Sequence, residues 1–410
     1  MPMRFSILIP TFERAGLIGQ AIESALAQTH GDREILVIDD GSRDGTRAVA
    51  SRYEPAIRYL SQENRGKASA LNLGIEASTG DAIVVLDDDD MFPPWALARH
   101  AEALSRNPAA DFSYGRYVRF EGSAPPGPED LWDEEPVPTR DPRRLVVKLM
   151  ERCFLPNPAW AVRRGAQLRA GPYDEAMRRS QDYNMIVRLA RANEGAFVDD
   201  RVLYQRRHVA LRGPACERTL TEHSVDLWIK YDTLFFHDID RDWDARDFRP
   251  FIQETPDDHA LALLQKGTIL FQRKVYDGAR RALELYRREL ATRSPSGAEL
   301  RIAAGLHGCQ YGVAEFSRRT LLAGEVAAWM RGLAWPLALR VAFATQIRWR
   351  VRAALEARDV GFASGLLSYS GGAFGLAATL AVMTTKYSAG ADQWRGERRS
   401  ARRQIEGSLA

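Results

Sequence analysis

Four consecutive aspartates, Asp87-Asp88-Asp89-Asp90, follow directly on the apolar run Ala82-Ile83-Val84-Val85-Leu86. Adjacent carboxylates repel one another and are tolerated where water or a cation screens them. A hard divalent ion such as Mg2+ or Mn2+ takes oxygen ligands of this type and often shares one or two carboxylates with substrate phosphates. A solvated acidic turn is the plainer reading of any charge run. Position tips the balance toward a metal–phosphate site, because a second acidic pair, Asp39-Asp40, ends another apolar run, Glu34-Ile35-Leu36-Val37-Ile38. A further acid, Asp182 in Ser180-Gln181-Asp182-Tyr183, stands where a helical pattern begins.

The elements that must position these acids alternate. Phe5-Ser6-Ile7-Leu8-Ile9 reads as a buried strand ended by Pro10, and 17–27 carries apolar residues at helical spacing. Strands follow at 34–38, 57–60 and 82–86, and helices at about 46–53, 67–77 and 95–104. This order implies a mainly parallel sheet flanked by helices, with right-handed crossovers and ligands bound beyond the carboxyl ends of the strands. Those ends are Pro10-Thr11, Asp39-Asp40 and Asp87 to Asp90, so the acids lie where the topology puts a ligand. Residues 122–142, rich in Pro, Gly and acids, read as a long surface loop. Residues 148–155 and 157–162 are expected to return to the sheet, 182–192 to be a helix, and Val198 and 202–204 to be short final strands.

Beyond about Gly213 helical periodicity takes over, at 259–266, 279–290, 300–319 and 323–357, the last broken by Pro336. The expected organisation is a catalytic α/β domain over 1–212, a transition over 213–255 and a mostly α-helical region over 256–410. Residues 327–355 hold no acid, while Arg331, Arg340, Arg348, Arg350 and Arg352 lie among tryptophans and aliphatics. Such a stretch suits an anionic membrane surface as well as a solvated bundle face. Residues 360–385 hold no charge at all, but glycines and serines dilute their apolar residues. Buried or interfacial helices are expected there rather than a span. The spacings Gly361–Gly365 and Gly371–Gly375 permit close helix approach.

Composition sets outer limits. The 410 residues are 45% hydrophobic and 27% charged, an ordinary globular balance with room for two domains or three. A formal charge of +3 gives no uniform basic field, so nucleic acid is not an expected partner. Cys153, Cys216 and Cys309 are far apart in the chain and form no metal spacing. With no leader-like pattern before the first strand, the expected place is the cytoplasm, with peripheral contact to the cytoplasmic face of the inner membrane through 327–385.

Taken together, Ile9-Pro10-Thr11-Phe12, Val37-Ile38-Asp39-Asp40-Gly41-Ser42, Asn64-Arg65-Gly66-Lys67-Ala68 with Asn72 and Gly74, and Gly80-Asp81 leading into Val85 to Asp90 resemble the family 2 glycosyltransferases of the GT-A, Rossmann-like fold. Order and spacing agree along 4–105 and more loosely to about Arg212. The resemblance implies an inverting transfer of a hexosyl-type sugar from a nucleotide-diphosphate sugar, most commonly a UDP-sugar, to a glycan or lipid-linked hydroxyl, in polysaccharide or cell-envelope synthesis. Thr11, Glu13 and Asp40 would surround the base and ribose, with Asp39 in place of Asp40 or beside it; carboxylates accept such hydrogen bonds. Arg65 and Lys67 would approach the diphosphate or else be solvated. Asp87 and Asp89 would form the metal-binding DxD-type pair, with Asp87 also near the donor and Asp90 a further ligand. Asp182 would be the general base, although Gln181 replaces the family's usual Glu before it. Its alternative is the N-cap of a helix over 183–192. His208, in Tyr204-Gln205-Arg206-Arg207-His208, matches a segment that reaches the metal or diphosphate. Trp160 would stack on an acceptor sugar or fill the core.

Two other functions fit parts of the pattern. Nucleotidyl transfer on a similar sheet calls for a glycine-rich basic loop after the first strand, where Pro10-Thr11-Phe12-Glu13 stands instead. A non-catalytic nucleotide- or sugar-binding scaffold would have no need of so many intact acids.

Overall fold

The structure is a computed structural model that describes residues 3–122, 133–134, 137, 139–207, 225–249, 259–309, 311–317 and 320–384. His208, Arg212, Cys216 and the arginines beyond 385 lie outside the described residues. The chain divides into two compact units, 1–282 and 283–410.

The first unit is built on one eight-stranded sheet: β1 (Phe5–Thr11), β2 (Arg33–Asp39), β3 (Arg58–Ser61), β4 (Ala82–Val85), β5 (Phe112–Phe120), β6 (Asp133–Glu134), β7 (Trp160–Arg163) and β8 (Gly195–Arg206). The order is β3-β2-β1-β4-β7-β5-β6, with β8 on β5. The pairs β1–β2, β1–β4, β2–β3 and β5–β8 are parallel, while β7 runs antiparallel to β4 and β5, and β6 to β5. Every residue of β1 and β4 is buried, as expected of central strands covered on both faces. Each fully buried Ile or Leu contributes about 1.5–3 kcal/mol of transfer free energy.

Helices α1 (Ile18–Leu26), α2 (Thr46–Ala50), α3 (Lys67–Ala77) and α4 (Ala96–Arg106) connect the parallel strands, close to the expected ranges. Further along the chain the expectations fare less well. Residues 148–155 do not return to the sheet: α5 is Pro142–Glu151, opened by a proline at its first position, with Leu145 and Leu149 buried one turn apart. The strand β5 has no counterpart among the expected elements, because Ser113, Gly115, Arg116 and Arg119 interrupt its apolar pattern. The two short strands expected near 198 and 202–204 are one strand, β8, divided by register shifts opposite Gly115 to Tyr117. After α6 (Arg164–Ala170) and α7 (Gln181–Ala192), the unit adds α8 (Val225–Asp242) and α9 (His259–Gln272).

Helix α10 (Tyr276–Leu290) crosses the division between the units. The second unit is helical: α11 (Gly297–Ala304), α12 (Ala314–Ser317), α13 (Leu321–Gly332), α14 (Leu337–Glu356), α15 (Val360–Phe374) and α16 (Leu376–Thr384). The helix expected over 300–319 is split, with Gly305 at the first C-cap and Gly312 at φ +83°. Pro336 caps α14, as its ring requires. Gly375, at φ +85°, interrupts the uncharged stretch. Among the described residues, no helix is long and apolar enough to cross a membrane.

Candidate active site

The central parallel strands carry their polar ends to one edge of the sheet. Thr11 stands opposite Asp39 in the β1–β2 register. The Asp40 N–H donates to the Thr11 carbonyl at 2.9 Å, and Leu86 N–H to that of Leu8 at 2.9 Å. The acid run therefore starts one residue after the last bond of the ladder.

The carboxylates of Asp39 and Asp40 are both occupied. Asp39 accepts from Ser42 N–H at 2.8 Å and from the Tyr59 hydroxyl. Burial and then Asp39 raise the Tyr59 pKa, with the Arg47 guanidinium, 4.0 Å from the Tyr59 ring centre, opposing. Asp40 accepts from Gln62 Nε2 at 2.7 Å, Arg65 N–H at 2.8 Å and Gly66 N–H at 2.8 Å. Asp40 thus pins the loop that leads into α3. Gly41, at φ +84°, is required here because an added Cβ would lie 2.9 Å from Asn64 N. An open hollow of about 560 Å3 lies against Asp39, Ser42, Arg47, Tyr59 and Gln62. Another, of about 460 Å3, lies by Asp81, Asp111 and Arg163 at the amino end of β4 and gathers none of the expected residues.

Among the described residues, three cationic side chains face the acid run. Lys67 Nζ contacts Asp87 Oδ1 at 2.6 Å, and Arg14 Nε stands 3.7 Å from Asp88. The buried Arg206 donates its backbone N–H to Asp90 Oδ1 at 2.8 Å and Nε to the Asp89 carbonyl at 2.9 Å. Its remaining donors reach Gln20 and Gly122, and its guanidinium lies 4.6 Å from the Phe120 ring centre. Burial raises the Asp87 pKa; Lys67 pulls it down, while Asp89 and Asp182 add to the rise. Burial chiefly, then Asp89, lifts Asp88 to about 7 against Arg14 and Thr11. One oxygen from each of Asp87, Asp89 and Asp90 lies within 4.8 Å of the others. That is a hard, all-oxygen donor set of the kind that fits Mg2+ or Mn2+.

Asp182 comes to the same place from the opposite side of the chain's path. It is not an N-cap: α7 begins at Gln181, and the cap is Ser180, held at φ 58° in the left-handed region. Asp182 sits inside the first turn, half-buried. Its charge bears on Lys67, Asp87 and Tyr173. Behind it α7 is anchored in the core. The Tyr183 hydroxyl donates to the Leu149 carbonyl at 2.6 Å and accepts from Arg273 Nη2 at 2.8 Å, and Arg273 pairs with Asp232 at 3.3 Å. The segment before α7 is tied to the loop that leads into α3 by Arg65–Glu175 at 3.0 Å, and to α3 itself by Asn72, which bonds Tyr173 N–H and its carbonyl.

Of the expected site residues, Thr11, Asp39, Asp40, Lys67, Asp87, Asp89 and Asp90 therefore gather at one sheet edge, with Asp182 in electrostatic reach. Glu13 lies on the turn after β1 at φ 52°, its N–H bonded to Ser42 Oγ at 2.8 Å. Arg65 is exposed and faces Glu175. Trp160 is buried in β7 beside Tyr114, so it fills the core and offers no face to a sugar. Arg14 and Tyr59 were not singled out by the sequence, and Arg206 was named only within the segment 204–208 that the resemblance brings to the metal or diphosphate. Arg14 could have been found from its place three residues beyond Thr11, whereas local pattern does not say that, within 204–208, Arg206 bonds Asp89 and Asp90, more than a hundred positions earlier.

The profile described as Glycosyl transferase family 2 matches residues 6–167. An uncharacterised glycosyltransferase of Rickettsia prowazekii is 29% identical over 231 residues, which is 54% of this chain and 70% of that protein. One from Nostoc is 38% identical over 106 residues, 25% of this chain and 33% of its own. Among solved structures, Staphylococcus aureus TarS aligns with a TM-score of 0.50 at 14% identity, over 90% of this chain and 55% of TarS, and so shares the fold. Residues 6–167 are therefore a family 2 glycosyltransferase domain, and the chain that carries them is a glycosyltransferase.

Proposed function

We propose that this glycosyltransferase moves a sugar from a nucleotide-diphosphate sugar to a hydroxyl acceptor with inversion at the anomeric carbon. The observation that carries this reading is the cluster of Asp87, Asp89 and Asp90 oxygens within 4.8 Å at the carboxyl edge of the sheet, with the charge of Asp182 bearing on it. Asp182 takes the proton of the acceptor hydroxyl as that oxygen forms its bond to the anomeric carbon. The bond from that carbon to the phosphate oxygen breaks in the same displacement, and the nucleoside diphosphate leaves with the electron pair. Asp87, Asp89 and Asp90 would hold Mg2+ or Mn2+, which when bound supplies positive charge to the departing diphosphate. Thr11, Glu13, Asp39 and Asp40 would border the nucleoside, and Arg65 and Lys67 the diphosphate. His208 belongs to the same proposal as a further ligand.

A UDP-sugar is the favoured donor. TarS, whose fold the chain shares, has been crystallised in complex with UDP. A glycan or lipid-linked acceptor and peripheral membrane contact through 327–385 extend the proposal. Exposed Leu337, Val360 and Leu376 in the acid-poor, arginine-bearing helical unit support the contact.

The test is calorimetric titration of the full chain with UDP and GDP, each with and without Mn2+, followed by donor hydrolysis. Nucleotide binding enhanced by Mn2+ is expected. Absence of any enhancement would overturn the metal-assisted reading.

A further inference from the structure

The three cations that face the acid run are held in different ways. Arg206 is 3% exposed, and its guanidinium donors are committed to the Asp89 carbonyl, Gln20 and Gly122. The buried guanidinium cannot leave without breaking all three of these bonds, so it is a fixed part of the site. Arg14 keeps a looser contact, at 3.7 Å, with Asp88, which lies outside the oxygen cluster. Lys67 differs from both. It is half-buried, among the described residues its ammonium makes one hydrogen bond, and that bond is to Asp87, a member of the cluster. A lysine is a compact charge on a flexible stem with three rotatable donors, suited to changing partners.

Backbone geometry keeps the base of that stem in place. Asp40 takes the N–H groups of Arg65 and Gly66, and Gly66, at φ +98°, is the N-cap of α3, whose first residue is Lys67. The side chain can therefore swing while its origin stays fixed beside the strand ends. The charges of Asp87, Asp182 and Asp89 all favour its ammonium, so while the cluster lacks a divalent ion Lys67 occupies the most acidic position in reach.

We propose that Lys67 is an exchangeable counter-ion of the acidic cluster: it neutralises Asp87 in the metal-free protein, yields that carboxylate to a divalent cation, and then faces the donor's diphosphate. This rests on the reading of Asp87, Asp89 and Asp90 as metal ligands. Two consequences follow from the charges. A cation that binds alone must displace Lys67, which weakens binding. A diphosphate gives the displaced ammonium an anionic partner, so cation and nucleotide strengthen each other's binding, and by linkage the effect is reciprocal.

The experiment is titration of Mn2+ into the full chain, followed by the electron paramagnetic resonance signal of free Mn2+, for the native protein, Lys67→Met and Lys67→Gln, without nucleotide and with UDP or GDP. Far-UV circular dichroism checks the fold, and Lys67→Gln decides wherever Lys67→Met does not fold. The expected result is that removing the ammonium tightens binding of Mn2+ alone about fivefold or more and shrinks the enhancement given by nucleotide. Native binding of Mn2+ together with unchanged or weaker binding in the folded variants overturns the exchange and leaves the metal site standing. No Mn2+ binding to the native chain under any condition overturns both.

Discussion

Asp182 and Asp40 are both acids of the site, yet their surroundings assign them different work. Among the described residues Asp182 accepts one hydrogen bond, from its own neighbour Tyr183 N–H at 2.9 Å, which leaves an oxygen for the proposed acceptor hydroxyl. Replacing it with Asn keeps shape and removes basicity. Asp182→Asn is expected to lower kcat by about 10^2–10^4-fold while the dissociation constant for nucleotide stays within about twofold, as checked by steady-state kinetics beside titration. Asp40 already accepts three bonds from the chain, so its removal acts through structure. Asp40→Ala orphans two N–H groups that order the loop into α3, at a cost of about 1–3 kcal/mol. Urea unfolding should register that loss together with weakened nucleotide binding. An Asp40→Ala protein of native stability would show that the loop is ordered by something else.

At the scale of elements, placement of Asp182, the proposed base, depends on the helices behind it. Arg273 follows α9, yet it bonds Tyr183 of α7, the Met150 carbonyl of α5 and Asp232 of α8. Breaking a buried pair of this kind costs about 3–5 kcal/mol. Arg273→Met should lose stability of that order and lower kcat by loosening α7, measurable by urea unfolding and kinetics. In the second unit the close approach is made by Gly365. A Cβ there would lie 1.5 Å from the Ser317 carbonyl oxygen, so Gly365→Ala must push α15 away from α12. A fall in melting temperature of several degrees is expected, whereas Gly371→Ala, with nothing within 4 Å of the added methyl, should be nearly silent.

For the molecule as a whole, acid sensitivity has a source far along the chain from the site. His307 is buried, with Nδ1 against the Phe343 carbonyl at 2.9 Å and Nε2 against the Tyr369 hydroxyl at 3.1 Å. The carbonyl can only accept, so Nδ1 carries the proton and Nε2 accepts from Tyr369. Burial lowers its pKa from 6.5 to about 4. Below pH 6.5 the unfolded chain takes up a proton that the folded one does not, so the stability due to the neutral ring is present above 6.5 and is lost as pH falls toward 4. At about 1.4 kcal/mol per pKa unit the loss approaches about 3 kcal/mol. Unfolding of the native chain at pH 7.5 and pH 5, beside His307→Gln, should show a steeper decline in the native protein. Exposed leucines and the basic stretch lead to one more expectation: the full chain should sediment with phosphatidylglycerol vesicles at low salt, less with phosphatidylcholine, and less again at 0.5 M salt.

The α/β order of the first hundred residues, and the acids at the strand ends, were legible in the sequence because buried parallel strands are short apolar runs and their ends are abrupt. Helix α3 was read to the residue, because Gly66 stands before it and Thr79-Gly80 closes it. The strand β5 and the helical identity of 142–151 were not legible, because long-range pairing and packing, rather than local pattern, select them. The sequence marked the run Asp87 to Asp90 by type and neighbourhood, and the family resemblance added Asp182 and the pairing of Asp87 with Asp89. Tertiary structure alone decided that Asp182 lies within the first turn of its helix, that Asp40 organises a loop, and that Lys67 and Arg206 share the aspartates between them. Those relations join residues 20 to 117 positions apart, and no local periodicity encodes which charges meet when the chain closes.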